Sequence, residues 1–197
     1  MMYIGVEYER RFVVADRDSM DLIVDVVKKM GFAENGIRME NDFYFSNGGN
    51  DKIGHLKYCV NSHNPNSGRL EFKKNICSLD GVVISLEMGD DCKIENVPLI
   101  LKDLSPFREY GREFNLNSII SIEQKRRGFI LGDNMHSSVD SLMINDRVFT
   151  FIEFETSVPS PQNIDKLSEI ANEFKRLTGL GDTTGNKMDY LMDEIGE

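Results

Sequence analysis

The sequence predicts an α+β fold that is mainly β: a closed antiparallel tunnel of about eight strands with helices packed outside. Two observations lead to this prediction. Short stretches alternate apolar and polar residues between clusters of Gly, Asn, Asp and Ser, which is typical of antiparallel strands joined by turns. The polar positions of these stretches also carry charges of both signs. With 197 residues, of which 40% are hydrophobic, the chain can bury one core, and we expect a single domain over residues 1–197.

The N-terminal stretch predicts a first strand followed by a helix. Apolar and charged side chains alternate there, with Ile4, Val6 and Tyr8 on one parity and Glu7, Glu9 and Arg11 on the other. From residue 16 the apolar spacing becomes that of an amphipathic helix. We expect this helix to end at Gly31, because glycine readily adopts the left-handed conformation that follows many helices.

Alternation then resumes and predicts seven further strands. They cover residues 42–45, 55–60, 69–74, 82–88, 118–130, 137–143 and 147–156. Residues 91–110 interrupt the pattern, and we expect a short helix there that Pro98 can start. Two more helices are predicted at residues 161–177 and 187–195. Residues 182–185 are interpreted as a polar turn.

The density of charge on the polar parity of these strands predicts that this parity faces the interior of the tunnel. In a half-buried sheet, the polar parity normally faces solvent with mixed small polar residues. Here its dense opposite charges predict a tunnel lined by acids and bases, with the apolar parity outside under the helices. The charged residues assigned to this lining are Glu7, Glu9, Arg11, Lys57, Arg69, Glu71, Lys73, Glu87, Glu123, Lys125, Arg127, Glu153 and Glu155.

A cavity with both signs of charge suits triphosphate binding. Basic side chains neutralise phosphate, and carboxylates hold a hard divalent cation that bridges phosphate oxygens. Residues two apart on a strand project to the same side, so each Glu-x-Glu can share a metal ion. The chain has two such pairs, Glu7 with Glu9 and Glu153 with Glu155. For any single pair the alternative is a solvated strand face.

Composition limits the partners. The net charge of −10 argues against broad nucleic-acid binding and against binding to an acidic membrane. The sequence shows neither a membrane-spanning run nor a secretory signal, so we expect a cytoplasmic protein. Cys59, Cys77 and Cys92 lack metal-ligand spacing and are interpreted as reduced thiols. A homodimer is compatible with the sequence.

Several short motifs, in order along the chain, resemble the CYTH family. That family groups class IV adenylyl cyclases with thiamine triphosphatases and tripolyphosphatases. Residues 6–12 resemble its E-x-E-x-K signature, with Arg11 in the lysine position, and residues 151–155 resemble its closing E-x-E. Further similar segments are residues 42–45, 55–58, 69–73, 123–127 and 187–191, together with Asp140. The chain departs from the family's pattern at Arg11, and also at Cys59 and Ser85, where basic residues are common.

The resemblance and the charge pattern together imply roles for individual residues. Mg²⁺ or Mn²⁺ would be held by Glu7, Glu9, Asp140, Glu153 and Glu155. Phosphate oxygens would be contacted by Lys57, Arg69, Lys73, Lys125 and Arg127. The catalytic residues would be Arg11, Glu9 and Glu87. Because an arginine stays protonated, Arg11 would clamp phosphate or orient the nucleophile and would not act as a base.

The expected function is metal-dependent hydrolysis of a small triphosphate, such as tripolyphosphate, thiamine triphosphate or a nucleoside triphosphate. One alternative is a class IV cyclase that converts ATP to cyclic AMP and pyrophosphate, which the same lining would serve. The hydrolase is favoured because nothing in the sequence identifies an adenine pocket. A second alternative is an inactive triphosphate-binding or nucleotide-binding module.

Overall fold

The structure of the protein is a computed structural model that describes residues 3–14, 19–46, 55–61, 68–97, 115–144, 147–158 and 160–183. Two α-helices lie in this part of the chain, α1 (Ser19–Lys29) and α2 (Pro161–Thr178). The strands of the same residues are β1 (Tyr3–Val14), β2 (Ala33–Ser46), β3 (His55–Asn61), β4 (Gly68–Leu79), β5 (Val82–Cys92), β6 (Asn115–Leu131), β7 (Met135–Ile144), β8 (Arg147–Thr156) and β9 (Asp182–Thr183). None of the described helices is long and apolar enough to cross a membrane.

The strands form one antiparallel barrel. Their order in the sheet is β5-β4-β3-β2-β6-β7-β8-β1-β9, and β5 also pairs with β1. That pairing closes the sheet into an eight-stranded barrel, with β9 as an extra strand beside β1. The predicted fold class, a mainly β closed antiparallel barrel, is confirmed.

The chain divides into two compact units. The first unit contains Met1–Gly5, Met39–Ile76 and Ser85–Glu123, and the second contains Val6–Arg38, Cys77–Ile84 and Gln124–Glu197. The single domain predicted over residues 1–197 stays a prediction.

The core of the second unit lies between its strands and the two helices. Phe12 of β1 and Phe154 of β8 are fully buried there, and the ring centroids of Phe12 and Phe174 of α2 lie 4.7 Å apart. Val24 and Val27 of α1 join the same cluster. Phe12 alternates with Arg11, and Phe154 alternates with Glu153, so the apolar parity of both strands faces the helices, as expected.

Helix α2 has clear sequence signals at both ends. Ser160 caps its start, since the Ser160 Oγ accepts a hydrogen bond from the Asn163 N–H at 3.2 Å, and Pro161 occupies the first turn. Gly179 ends the helix with a φ of 73° and donates its N–H to the Lys175 carbonyl at 2.8 Å. These signals explain why the prediction for residues 161–177 agrees closely with the structure.

The first unit has a separate core on its own strands. Leu56 and Tyr58 of β3 pack with Leu70 and Phe72 of β4, and all four side chains are at most 1% exposed. The Tyr58 hydroxyl donates a hydrogen bond to the Cys92 carbonyl at 2.9 Å, so the polar group of this buried side chain has a partner. The even residues of β3 and β4 therefore form the apolar parity, which leaves the odd residues for charge.

The structure differs most from the sequence predictions at two elements, while β4 and β5 end at Leu79 and Cys92, later than the predicted residues 74 and 88. Strand β2 begins at Ala33 instead of residue 42. Its first part contains Asn35 and Gly36, residue types that are typical of turns, and the apolar Ile37 and Met39 that follow are exposed. Residues 182–183 form β9 beside β1, where only a polar turn was expected. The predicted helix of residues 187–195 and the segment 98–110 lie outside the described residues, as does the motif at residues 187–191.

Candidate functional site

A set of charged side chains covers one face of the second unit's strands and is here called the Arg11 cluster. Strand register brings its members together, because residues directly opposite each other in an antiparallel pair share a face. Arg11 lies opposite Glu153, which lies opposite Ser138, and Glu9 lies opposite Glu155. The cluster consists of Glu7, Glu9, Arg11, Arg126, Ser138, Asp140, Glu153 and Glu155.

Arg11 is buried between carboxylates. It is only 4% exposed, donates from Nη2 to the fully buried Glu9, and has its Nε 3.5 Å from Glu153 Oε1. Burial alone would lower the pKa of Arg11, but the charges of Glu9, Glu153 and Glu7 outweigh it and raise that pKa. The guanidinium therefore stays charged, which agrees with the expectation that Arg11 cannot act as a base.

Arg126 and Asp140 form the second charge pair of the cluster. Arg126 donates through Nε and Nη2 to the two carboxylate oxygens of Asp140, at 2.9 and 2.8 Å, in the bidentate geometry that favours arginine. Its Nη2 also lies 4.0 Å from Glu153 Oε2. Ser138 sits between the acids, with its Oγ 3.3 Å from Asp140 Oδ2 and 3.4 Å from Glu153 Oε2.

The sequence prediction placed the wrong residues of β6 on this face. Arg127 donates instead to Glu34 of β2 and to Asp21 of α1, at 3.1 and 3.3 Å, and Lys125 is exposed. The sequence prediction rests on Ile120 and Ile122 as the apolar parity of this strand, but both residues have the parity of Arg126. Phe129 is the better marker: it is buried beneath the helices on the parity of Arg127, which identifies Arg126 as the residue facing Asp140.

Two further residues were missed by sequence reasoning. His136 lies opposite Glu155 in the β7–β8 ladder and is partly exposed. Gln124, which shares the parity of Arg126, is 2% exposed. His136 shares the two-residue period of Asp140, and this parity could have placed it on the same face. Its position opposite Glu155 depends on the register of β7 against β8, which is not readable from the sequence. Both join the same strand face as the acids of the cluster.

The first unit carries a second set of charges, the Lys57 cluster, on β2, β3, β4 and β5. Lys57 Nζ lies 3.4 Å from Asp42 Oδ2 and 3.1 Å from Glu71 Oε2, and Arg69 Nε lies 3.2 Å from Glu71 Oε1. Burial alone would lower the pKa of Lys57, but the charges of Asp42 and Glu71 outweigh it and hold that pKa well above its ordinary value. The members of this cluster are Asp42, Lys57, Cys59, Arg69, Glu71, Lys73 and Glu87.

The remaining members of the Lys57 cluster are Lys73, Glu87 and Cys59. Lys73 Nζ lies 3.8 Å from Glu87 Oε1, so both residues predicted for this region are paired with each other. The Cys59 thiol donates to Glu71 Oε2 at 3.8 Å. Burial, together with the negative charges of Glu71 and Asp42, raises the pKa of that thiol well above its ordinary value. Cys59 is therefore a neutral thiol at neutral pH.

The acids of the Arg11 cluster offer the donor atoms that a hard divalent cation requires. Carboxylate oxygens are the right donors for Mg²⁺ or Mn²⁺, and Glu9 and Glu155 lie opposite each other on adjacent strands. Among the residues that the structure describes, no three His, Cys, Asp or Glu side chains converge as a cage. Mg²⁺ usually binds through one or two carboxylates together with water and substrate phosphates, so a carboxylate pair fits this ion.

Comparison with solved structures identifies the same fold in other proteins. HpAC1 from Hippeastrum, a candidate adenylyl cyclase with a dominant triphosphatase activity, is 14% identical and superposes with a TM-score of 0.63, covering 96% of this chain and 95% of that chain. A candidate adenylate cyclase from Bacillus halodurans, bh2851, is 13% identical with a TM-score of 0.62, covering 95% and 97%. A chain of the Schizosaccharomyces pombe Mediator head module is 14% identical with a TM-score of 0.58, covering 90% and 97%.

The similarity is one of structure. No protein-family model matches the sequence, and no curated protein matches it either. The superpositions with HpAC1 and bh2851 extend over nearly the full length of this chain. The chain has a CYTH-type tunnel fold, as its sequence motifs predicted.

Proposed function

We propose that this protein is a metal-dependent phosphohydrolase that acts on a small triphosphate in a charged tunnel. The observation that carries the proposal is the Arg11 cluster. Glu9 and Asp140 are fully buried, and Arg11 is 4% exposed, so the fold holds several charges away from water on one strand face. Burying ionised groups costs free energy, and such clusters are concentrated at functional sites. HpAC1, which shares the fold, has a dominant triphosphatase activity.

The two arginines of the Arg11 cluster are suited to phosphate. A guanidinium presents several donors in a plane and can bind two phosphate oxygens at once. We assign Arg126 to this role beside Arg11, in place of Arg127, because Arg126 shares the face of Asp140 while Arg127 contacts Glu34. A bound phosphate would compete with Asp140 for Arg126 and with Glu9 for Arg11.

The carboxylates would hold the cation. Glu9 and Glu155, which lie opposite each other, would hold it as a carboxylate pair, while Glu7, Glu153 and Asp140 would add negative charge on the same strand face. When bound, the cation would polarise phosphate oxygens and activate a water molecule. In the proposed reaction a water oxygen attacks the terminal phosphorus while the bond to the leaving diphosphate oxygen breaks. Since Arg11 stays charged, a carboxylate of the cluster is the group that can accept the proton from water.

The Lys57 cluster of the first unit carries cations of its own that are suited to phosphate. Lys57, Arg69 and Lys73 would contact phosphate oxygens, and the raised pKa of Lys57 keeps its ammonium charged at neutral pH. Each of these cations is held by a carboxylate of its own unit, Lys73 by Glu87. This arrangement keeps the side chains ordered before substrate arrives, which reduces the ordering cost on binding.

A second candidate is a class IV type of adenylyl cyclase. It is favoured by the description of both HpAC1 and bh2851 as candidate cyclases. In that reaction the 3′-hydroxyl of ATP would attack the α-phosphorus and pyrophosphate would leave. The same arginines and carboxylates would serve both reactions, so the products must decide. An inactive triphosphate-binding module would retain binding and release no product.

Product analysis tests the proposal. The purified protein is incubated with tripolyphosphate, thiamine triphosphate and ATP, each with Mg²⁺ or Mn²⁺, and the products are separated by chromatography. The proposal predicts orthophosphate from at least one substrate, only when metal is present. Pyrophosphate together with cyclic AMP would establish the cyclase instead, and metal-dependent binding without product would establish the inactive module.

A further inference from the structure

Arg10 is a buried arginine of β1 that does not belong to the Arg11 cluster. It is 5% exposed and lies between Glu9 and Arg11 in the strand, so its side chain leaves on the opposite face. Its Nη1 donates to the carbonyl oxygen of Asp80 at 2.8 Å, in the turn between β4 and β5. Its Nη2 donates to the carboxylate of Asp182 in β9. One guanidinium thus joins β1 to a turn and to a strand near the end of the described chain.

Asp182 extends this connection to α2. Its Oδ1 accepts a hydrogen bond from Lys175 Nζ at 2.7 Å, and its backbone pairs with Phe12 in the β1–β9 ladder. Burial alone would raise the pKa of Asp182, but Lys175 and Arg10 outweigh it and lower that pKa. The carboxylate is therefore charged at neutral pH and binds two cations from different elements.

The turn at Asp80 and Gly81 lies close to the Asp182 carboxylate and to the Arg10 guanidinium. Both residues have positive φ, 51° for Asp80 and 80° for Gly81. A Cβ atom on Gly81 would lie 2.8 Å from Asp182 Oδ2 and 2.9 Å from Arg10 Cζ, closer than real Cβ contacts allow. Only glycine fits this approach, and Asp80 adopts a conformation that is uncommon outside glycine. The hydrogen bond from Arg10 to the Asp80 carbonyl therefore depends on the backbone conformation of the turn.

These residues form one connected set, here called the Arg10 clasp: Arg10, Asp80, Lys175 and Asp182. We propose that the clasp fixes the position of β1 and that Arg10 is a positioning residue for Glu9 and Arg11, an inference that rests on the proposed function. Strand β1 is where β5 pairs to close the barrel. The neighbours of Arg10 in β1 carry the charges of the Arg11 cluster, and a small displacement of a strand moves all of its side chains together.

The test compares variants of the clasp with a matched control. Arg10→Gln removes the charge, Arg10→Lys keeps it without the forked geometry, and Asp182→Asn weakens the clasp from the other side. The control is Arg176→Gln, which breaks an exposed ion pair between Arg176 and Glu173 on α2. Three quantities are measured: the NMR signal of the Arg11 Nε–H group, amide hydrogen exchange in β1, and kcat and KM for orthophosphate release from tripolyphosphate.

For a folded Arg10→Gln variant we expect a displaced or broadened Arg11 signal, faster amide exchange in β1, and a kcat lowered about tenfold or more, because displacements near 1 Å are costly to catalysis. Arg10→Lys should recover part of each change, and the control should resemble the parent. An unchanged Arg11 signal with unchanged β1 exchange would overturn the proposal. If Arg10→Gln does not fold, Asp182→Asn provides the same comparison.

The two proposals fail in distinguishable ways. A parent protein that releases no orthophosphate would contradict the proposed function, while the NMR signal and the amide exchange would still decide whether the clasp positions Arg11. Conversely, an active parent with an undisturbed Arg11 in Arg10→Gln would retain the proposed function and overturn the clasp.

Discussion

Arg11→Met should destabilise the protein strongly, because it removes the cation that lies between Glu9 and Glu153. Glu9 is fully buried, while Glu153 keeps Ser138 at 3.4 Å and is partly exposed, so most of the cost falls on Glu9. Removing one partner of a buried ion pair typically costs about 3–5 kcal/mol. For a protein of this size about 1 kcal/mol changes Tm by roughly 2–4 °C, so Tm should fall by about 6–20 °C.

Thermal unfolding with and without a divalent cation measures this effect. The variant leaves Glu9 and Glu153 without Arg11, so a cation that binds them should raise Tm more in Arg11→Met than in the parent protein. Arg176→Met serves as the control, since its ion pair with Glu173 is exposed and should contribute little.

Two results would refute this reasoning. A Tm of Arg11→Met within about 2 °C of the parent would show that Glu9 does not depend on Arg11, because that change corresponds to at most about 1 kcal/mol. An equal effect of Mg²⁺ or Mn²⁺ on both proteins would show that the carboxylates released from Arg11 do not bind the cation.

Further predictions concern other groups of the two units. Arg11→Lys should keep orthophosphate release from tripolyphosphate within a few-fold of the parent if the enzyme is a hydrolase; a gain above about tenfold, near 1.4 kcal/mol of barrier, would favour a binding or cyclising site. The Cys59 thiol, whose pKa is raised, should alkylate much more slowly at pH 8 than the exposed Cys77, as mass spectrometry of labelled peptides would show. Equal labelling rates would contradict the raised pKa of Cys59. Because the pKa of Asp182 is lowered on folding, its charge stabilises the protein above about pH 4, and this stabilisation is lost as pH falls through the pKa of the folded state. Asp182→Asn should therefore lower Tm at pH 7 and lower it less at acidic pH. A Tm difference that does not depend on pH would contradict this assignment.

The barrel could be predicted from the sequence because, in most strands, apolar residues occupy one parity and charged residues occupy the other. In β1 and β8, strict alternation placed Phe12 and Phe154 on one face and Arg11 and Glu153 on the other, and the structure has this arrangement. In such strands the two-residue period of the backbone determines the face to which each side chain points. This period can be read from the local sequence, without knowledge of distant contacts.

The site was harder to predict because faces and partners depend on register. In β6 both parities carry basic residues. The prediction used Ile120 and Ile122 to define the apolar parity, and this choice put Arg127 in the place that Arg126 occupies in the structure. Asp182, the partner of Arg10, lies 172 residues away in the two-residue strand β9, and no local sequence pattern predicts this ion pair. Residues that are locally ambiguous, or whose partner is remote, require the folded structure.

The central claim is that buried carboxylates of the Arg11 cluster support metal-dependent cleavage of a triphosphate. The most direct measurement is orthophosphate release from tripolyphosphate at saturating Mg²⁺ or Mn²⁺ by the parent, by Glu9→Gln and by Glu155→Gln. Glu123→Gln, at an exposed position, is the matched control, and each amide keeps the size of the side chain while it removes the charge. We predict that the two cluster variants lose most of the activity while the control retains it. Equal and mild losses in all three variants would contradict the assignment of the metal site.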